Sequence, residues 1–550
     1  MSGEGTMADL DAADDAISES SDRARMDHGS MIAGLLNPDA YPHRVDEITH
    51  VQTHISSILL TGTRAYKIKK PVDFGFLDFS TIELRKLNCE REVDLNGRLA
   101  PDVYLSVEPV RLVGTDLFIG EGPGEIVDWA VAMEQLDGAC LGVGVLERGD
   151  LGHQQLDDLV GILVPFYERA RRGPAVEKFG EIEAIKFNTD ENFAQTENYV
   201  GKLISRDRYE HIREWTDRFF VEHADLLERR IATGRIRECH GDLHLDNIFF
   251  CDRPVVFDCI EFNDRLACGD VAIDIGFLAM DLDARGRSDL SQHFVDRFIE
   301  RSGDDDLRGV MDFYKTYRAY VRAKVAAFTS EDPGLDGSQK RQNRNAARNA
   351  FGLAYRYTGG DARPPLVVLY GLMGTGKTSL ARYLREAYGW HVISTDEVRK
   401  QISGVGEATR VWVPYNTGLY STEMNERTYD ESCRRAGDLL DAGLPVAIDG
   451  AFKTREQRQV VVDMAREHGA DVHFIETVCD PDTQHQRLEE RQVYDTRSDG
   501  RIELMQRQRT EFESPNDDVA HLFERVSTDG PIDDTRSRVE ARLRALGMLE

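Results

Sequence analysis

The sequence predicts two fold classes in one chain: an α+β bilobal domain over residues 31–354, then an α/β domain with a parallel sheet over residues 366–550. Three observations carry the prediction. Short apolar runs at Ser56–Gly62 and Arg64–Lys69 flank Thr61-Gly-Thr63, a hairpin pattern, and a helical pattern follows from Thr81 to about Leu99. A polar turn, His240-Gly-Asp-Leu-His-Leu-Asp-Asn-Ile248, precedes an apolar run that ends at Asp258. From Leu366 onward, strands and helices alternate, as a parallel sheet requires.

Size and composition narrow the classes. The 550 residues have room for two or more domains, and 41% hydrophobic with 30% charged residues is the balance of a globular protein. No apolar run approaches the roughly 20 residues needed to span a bilayer, so no membrane partner is expected. The N-terminus has no basic stretch ahead of an apolar core, and a cytoplasmic protein is expected. Eight cysteines without CxxC spacing fit free thiols and argue against a zinc site. Four of them, Cys239, Cys251, Cys259 and Cys268, crowd around the polar turn and are expected to be buried as small hydrophobes. The net charge of −30 disfavours nucleic acid as a bulk partner. Residues 1–30, rich in Asp, Ser and Ala, read as a disordered acidic tail.

The polar turn carries chemistry. Asp242 stands five residues ahead of Asn247, and an apolar strand then delivers Asp258, which is how a kinase-like fold assembles a phosphoryl-transfer site. Asp242 can take the proton of an attacking hydroxyl, and Asn247 and Asp258 can hold Mg²⁺ bridging ATP phosphates. His240 and His244 are separated by Gly-Asp, which favours a turn over a helical metal pair. Asp246 and Glu261 read as surface or supporting residues. The stretch resembles the catalytic loop of the aminoglycoside phosphotransferase family, roughly His-Gly-Asp-x-His-x-x-Asn-Ile. The resemblance extends to Gly269-Asp270-Val-Ala-Ile-Asp274, whose Asp270 and Asp274 are expected to brace the loop.

The resemblance implies a protein-kinase-like bilobal domain and roles for N-terminal residues. In such a lobe the third strand carries Ala-x-Lys; Ala65-Tyr-Lys67 fits, so Lys67 is the expected phosphate lysine, with Lys69 on the same face as the alternate. Glu92 of the following helix is its expected partner, with Glu90 as the fallback. The segment Gln52–Ser57, where the phosphate-covering loop falls, carries serines in place of the usual glycines. Strands are expected from Asp102 to Met133, a hinge at Glu134–Leu136, and helices over Leu156–Arg172, Tyr209–Arg230, Asp274–Arg285 and Met311–Thr329.

Tyr355–Pro365, with its Gly-Gly and Pro-Pro pairs, reads as a linker, set at 355–365. Beyond it, Leu366–Tyr370 leads into Gly371-Leu-Met-Gly-Thr-Gly-Lys-Thr378, a complete GxxxxGK[ST] motif between strand and helix. Gly371, Gly374, Thr375 and Gly376 present backbone N–H groups to phosphates, Lys377 reaches the β/γ oxygens, and the Thr378 hydroxyl binds Mg²⁺. Pro445–Asp449 is a strand ending in an acidic residue, Thr454-x-x-Gln457 has capping-box form, and Asp480-Pro481 starts a helix. This part resembles the small P-loop kinases of metabolites, zeta-toxin-like enzymes and the kinase domain of polynucleotide kinase. The resemblance assigns Asp396 and Arg399 to the acceptor hydroxyl, and Arg487 and Arg491 to the nucleotide phosphates beside a lid at Tyr494–Gly500. Arg455 and Arg458 fit surface charge as well as a substrate contact.

The expectation is therefore an ATP- and Mg²⁺-dependent phosphotransferase with two sites, each acting on a hydroxyl of a small molecule such as a sugar. Two alternatives stay open: the P-loop half as an ATP-binding regulatory module, or as a nucleic-acid 5′-hydroxyl kinase. Residues 364–550 carry 24 Lys and Arg against 33 Asp and Glu, and the aromatic stretch Trp412–Tyr420 has Arg410 as its only close cation in sequence. That balance favours a small acceptor over a strand-binding groove. The sequence leaves the oligomeric state open.

Overall fold

The computed structural model describes residues 27–75, 77–360, 363–405, 418–494, 509–514 and 517–549, without the side chains of 491–494 and 517–519. The chain divides into two compact units, residues up to 176 with 237–269, and residues 177–236 with 270–550.

The first unit is built on a six-stranded antiparallel sheet: β1 (Thr49–Gln52), β2 (Ser56–Leu60), β3 (Arg64–Lys69), β4 (Tyr104–Val113), β5 (Asp116–Ile119) and β6 (Glu125–Glu134). The spatial order is β1-β2-β3-β6-β4-β5. Alternation along β3 sorts its side chains between two faces. Tyr66 and Ile68 join a core with Met31, Ile32 and Leu35 of helix α1 (His28–Leu35). Ala65 faces Cys89 of helix α2 (Ile82–Asn96), and Lys67 and Lys69 follow it on that side. Helix α1 starts inside the stretch expected to be a tail, because Met31, Ile32 and Leu35 cover a sheet face that would otherwise be wet. Helix α2 begins as expected at Thr81, whose hydroxyl accepts the Leu84 N–H. Helix α3 (His153–Arg169) follows the sheet. The polar turn leads into a short hairpin, β7 (Ile248–Phe250) and β8 (Pro254–Val256).

The second unit begins with helices α4 (Ile182–Thr196), α5 (Arg206–Glu222), α6 (Ala224–Ala232), α7 (Ala272–Ala284), α8 (Ser288–Ser302), α9 (Arg308–Thr329) and α10 (Gly337–Tyr357). The single helix expected over 209–230 is two, divided at His223. Helix α10 runs into the expected linker. Its last turn is held by Arg356 Nη1 donating to Leu440 O at 2.6 Å and by Tyr357 Oη donating to Asp283 at 2.6 Å. Those partners lie far off in sequence, and no local pattern announces them.

The α/β part comprises β9 (Pro365–Tyr370), α11 (Lys377–Tyr388), β10 (His391–Ser394), α12 (Thr395–Ile402), α13 (Thr422–Asp441), β11 (Val446–Asp449), α14 (Arg455–Glu467), β12 (Asp471–Val478), α15 (Pro481–Tyr494), β13 (Phe523–Ser527) and α16 (Ile532–Ala545). Its five strands are parallel, in the order β10-β11-β9-β12-β13. Both faces are covered, so the central strand is apolar throughout. Leu366, Val368 and Tyr370 pack on one side, Val367 and Leu369 on the other. The C-terminal ends of β9, β10 and β11 meet in register, Leu369 beside Asp449 and Asp449 beside Ser394. This sheet edge is where such folds place ligands.

Candidate active sites

In the first unit, the strand-delivered lysine meets its expected partner. Lys67 Nζ lies 2.7 Å from Glu92 Oε1 and 2.5 Å from Asp258 Oδ1. Burial alone would lower the Lys67 ammonium, but Asp258 and Glu92 outweigh it and hold it well above the usual lysine range. Burial likewise works to raise Glu92, yet Lys67 and Lys69 prevail and hold it at about 2. The fallback, Glu90, pairs with Lys86 on the surface. Lys69 does not stand in for Lys67: it occupies the other Glu92 oxygen at 2.6 Å and binds Glu261.

Asp258 takes a left-handed backbone conformation, φ 64°, uncommon for a residue with a side chain. Two contacts hold that strained turn. Tyr104 Oη accepts the Asp258 N–H at 3.2 Å, and Asn96 Oδ1 accepts the Cys259 N–H at 2.8 Å. Sequence reasoning missed both residues. Asn96 had a signal, since it stands one helical turn after Glu92 on the same face; Tyr104 had none.

The polar turn is a turn, as the Gly-Asp pair predicts, with Gly241 at φ 85°. His240 Nε2 donates to Phe257 O at 2.8 Å, and its Nδ1 accepts the Asp242 N–H at 3.2 Å, so the ring pins the turn to the strand that delivers Asp258. Asn247 Nδ2 donates to Asp242 O at 3.0 Å and to Asp242 Oδ2 at 3.1 Å. With its nitrogen committed to Asp242, its amide oxygen is the atom left for a cation. His244 bridges Asp242 and Asp246 at 3.2 and 3.1 Å. Asp246 is half exposed and Glu261 buried. Cys239, Cys259 and Cys268 are buried as expected; Cys251 is exposed, because it follows β7 at the hairpin turn. The segment Gln52–Ser57 is a tight turn in which Thr53 Oγ1 accepts the N–H groups of Ile55 and Ser56 at 3.3 and 2.9 Å, with no glycine needed.

In the second unit, Asp270 is held by Arg230 through paired contacts of 2.5 and 2.7 Å, and Arg230 also binds Asp304. Asp274 is buried on α7. The glycine-rich loop after β9 has Gly371, Gly374 and Gly376 at φ 134°, 79° and 96°. Lys377 Nζ donates to Gly371 O and Leu372 O at 2.9 and 2.8 Å. Thr378 Oγ1 donates to Asp449 Oδ2 at 2.7 Å, so the hydroxyl and the strand-end carboxylate form one oxygen pair. Thr375 packs its hydroxyl on Thr477 at 2.7 Å. Arg487 donates to Thr528 Oγ1 and O at 2.9 and 2.7 Å, and Thr528 Oγ1 donates to Thr375 O at 2.8 Å. These groups border a cavity of about 450 Å³ lined by Gly374, Gly376, Ser379, Arg487, Thr528 and Gly530. Thr477 and Thr528 had no sequence signal, being ordinary threonines at strand ends.

Arg399 Nη1 lies 2.8 Å from Asp396 Oδ1 on the first turn of α12, as expected for the Asp-x-x-Arg pair. Its Nη2 donates to Asn425 Oδ1 at 3.1 Å, and its guanidinium carbon sits 4.8 Å from the Tyr420 ring centre. Tyr420 therefore has a buried cation beneath it that linear sequence did not reveal. Arg458 is neither surface charge nor poised for a substrate: it is buried, donating to Phe452 O and Glu513 O, both at distances of 2.6–2.7 Å. Arg455 is tied to the same segment through Ser514 O. The Arg491 side chain, Arg410, Trp412 and the lid beyond Tyr494 lie outside the described residues.

The donor sets fit Mg²⁺. Asn247 and Asp258 in one site, Thr378 and Asp449 in the other, offer hard oxygen atoms beside lysine ammonium groups.

Two folds with these sites define a kinase, an ATP-using phosphotransferase. Family models match both halves: one described as a phosphotransferase enzyme family over residues 91–314, the other as an AAA domain over residues 366–515. The uncharacterized protein Rv2004c of Mycobacterium tuberculosis strain H37Rv is 34% identical over 441 residues, which cover 79% of this chain and 85% of that one. The chain belongs to the family of that mycobacterial protein. Among solved structures, an aminoglycoside phosphotransferase from Streptomyces rimosus is 16% identical with a TM-score of 0.32, covering 52% of this chain and 97% of that one. A gluconokinase from Sinorhizobium meliloti is 19% identical with a TM-score of 0.24, covering 33% and 93%. No helix among the described residues is long and apolar enough to cross a membrane.

Proposed function

We propose that the chain carries two phosphotransferase sites, each moving the γ-phosphoryl group of ATP to a hydroxyl of a small molecule. What supports the reading is that Lys67, Glu92 and Asp258 are ion-paired and Asn247 bonds Asp242 in one half, and that Thr378 of the glycine-rich loop bonds Asp449 and Arg399 pairs with Asp396 in the other. In residues 28–357, Asp242 accepts the proton of the acceptor hydroxyl, and its carboxylate is oriented by Asn247 and His244. Lys67, steadied by Glu92, binds the phosphates and neutralises charge that develops on transfer. In residues 366–550, the N–H groups of Gly371–Thr378 and the Lys377 ammonium cradle the phosphates, with Arg487 at the outer side; the resemblance to P-loop kinases adds Arg491. The base enters the cavity beside Thr528 and Gly530. Asp396 takes the acceptor proton while Arg399 fixes its carboxylate. Asn247 and Asp258 in one site, and Thr378 and Asp449 in the other, would hold Mg²⁺, which would supply positive charge at the phosphates.

Positioning and charge neutralisation are the main work in such reactions, so a missing base costs rate more than binding. The test is acceptor-dependent ADP release from the full chain against a metabolite library, with Asp242→Ala and Asp396→Ala alongside. Asp242→Ala is expected to lower kcat at the first site by at least about a hundredfold while ATP binding persists. Undiminished turnover in both variants would refute the assignment. The net charge of −9 over residues 364–550 supports a small acceptor in the second site; steeply salt-sensitive labelling of a 5′-hydroxyl oligonucleotide would reverse that choice.

A further inference from the structure

Lys67 has a second lysine behind it. The side chains form an alternating chain of charge running inward from solvent: Asp258, Lys67, Glu92, Lys69, Glu261. Its outer end is open, with the Asp258 side chain 42% exposed. Its inner end is closed, with Lys69 at 1% and Glu261 at 4%. The Lys69 ammonium sits 4.7 Å from the centre of the Phe79 ring, which packs edge-on against Phe262. Lys69 therefore has no route to a phosphate without leaving two buried carboxylates behind.

Glu92 is where the chain branches. Each of its oxygens takes a different lysine, so Glu92 cannot turn toward Lys67 without giving up Lys69. Glu261, three residues after Asp258, carries the same connection from β3 and α2 into the segment that sets the Asp258 turn. Asn96 makes a parallel link, its Nδ2 donating to Glu92 O at 2.9 Å and its Oδ1 accepting the Cys259 N–H.

We propose that Lys69 is a positioning residue: its ammonium clamps Glu92 by holding its second oxygen and cancelling the buried charge of Glu261, so that Lys67 is left to the phosphates in one geometry. The clamp rests on the reading of Lys67 and Asp258 as the nucleotide site of the first unit. Without Lys69, Glu92 and Glu261 face each other with one cation, Lys67, between three carboxylates. Glu92 then draws Lys67 inward, and the phosphates lose it. The groups around Glu261 are Lys67 and Lys69 from β3, and Glu92 and Cys89 from α2. Burial already pushes the Glu261 carboxyl up, against the pull of Lys69, so it is the group that takes a proton when the cation is removed.

The experiment measures Mg·ATP affinity by calorimetry in the full chain carrying Lys377→Ala, which confines binding to the first unit, with Asp258→Ala as the control that abolishes it. Lys69→Met is expected to weaken affinity by about tenfold or more at about pH 8 and to recover as pH falls and the excess carboxylate takes a proton. The double variant Lys69→Met/Glu261→Gln removes the stranded charge as well; it is expected to return to within about threefold of the parent, with a flat pH profile. A purely structural lysine would lower the unfolding midpoint and leave the affinity of the folded protein and its pH profile unchanged. That result, or a double variant as weak as the single one, overturns the clamp. If the parent binds no Mg·ATP, or Asp258→Ala binds as well as the parent, the nucleotide-site reading falls and the clamp with it.

Discussion

At the residue scale, buried charges decide most of what is specific to this chain. Arg230 is fully buried and shared between Asp270 and Asp304, themselves buried. Replacing it by methionine fills the space and strands both carboxylates. Arg230→Met is expected to destabilise the second unit by about 3–5 kcal/mol in denaturant titration, the scale of breaking a buried ion pair from one side. Removing the exposed pair Arg44–Asp46 is expected to cost under about 1 kcal/mol. Glu92 makes a complementary prediction about pH. Its folded pKa, about 2, is below the usual carboxylate value, so its stabilising contribution is present above about 4.5 and is lost as pH falls toward 2. Glu261 is raised by burial and acts in the opposite sense and in a different window: it adds stability as pH falls through its folded pKa, above about 4.5. In acid-limb unfolding followed at several pH values, Glu92→Gln should flatten the dependence below about pH 4.5, and Glu261→Gln should remove the gain that lies above it.

At the scale of elements, the glycine-rich loop after β9 and the turn at 53–55 are built in two ways. The glycine-rich loop after β9 depends on conformations that only glycine adopts cheaply. A Cβ on Gly371 would stand 2.6 Å from Thr477 O, on the neighbouring strand, at a φ of 134°. Gly371→Ala is therefore expected to cost about 1–3 kcal/mol, with loss of ATP binding in the second unit by calorimetry. Gly352, inside α10, is the contrast, since a methyl group added there would meet nothing within 4 Å: Gly352→Ala should raise stability by up to about 1 kcal/mol. The turn at 53–55 has no such glycine dependence, because Thr53 closes it through its own hydroxyl, and Lys70 Nζ donates to Thr53 O at 2.6 Å.

At the scale of the whole molecule, the sites use separate machinery and should be separable. Lys377→Ala removes the ammonium of the glycine-rich loop in the second unit, and Asp258→Ala removes a carboxylate of the first. Titration of the full chain with Mg·ATP is expected to show two sites, and one in each variant. A single site in the wild type would mean that one half has lost nucleotide binding. Among the described residues the two sets are distinct: Lys67, Glu92, Asp258 and Glu261 are ion-paired in one, and Thr378 bonds Asp449 beside Lys377 in the other.

Linear sequence determined the parts whose physics is local. The glycine-rich loop announces itself because each glycine answers a backbone need within eight residues. Lys67 and Glu92 were legible through the resemblance to a kinase-like lobe; strand alternation alone left Lys69 on the same face as an alternate. The polar turn was legible because Asp242, Asn247 and Asp258 lie within one turn and the short hairpin that follows it. Tertiary structure alone decided the rest. That Lys69 is a clamp and not a spare phosphate ligand depends on Glu261, 192 positions away along the chain. That Arg399 lies under Tyr420, that Thr528 joins Arg487 to Thr375, and that Arg356 carries α10 through an expected linker are likewise contacts between distant segments. Side-chain type and spacing specify which groups a site needs. Which buried charge receives which partner is set only when the chain closes, because burial penalises every charge left unpaired and the partner can come from anywhere in the sequence.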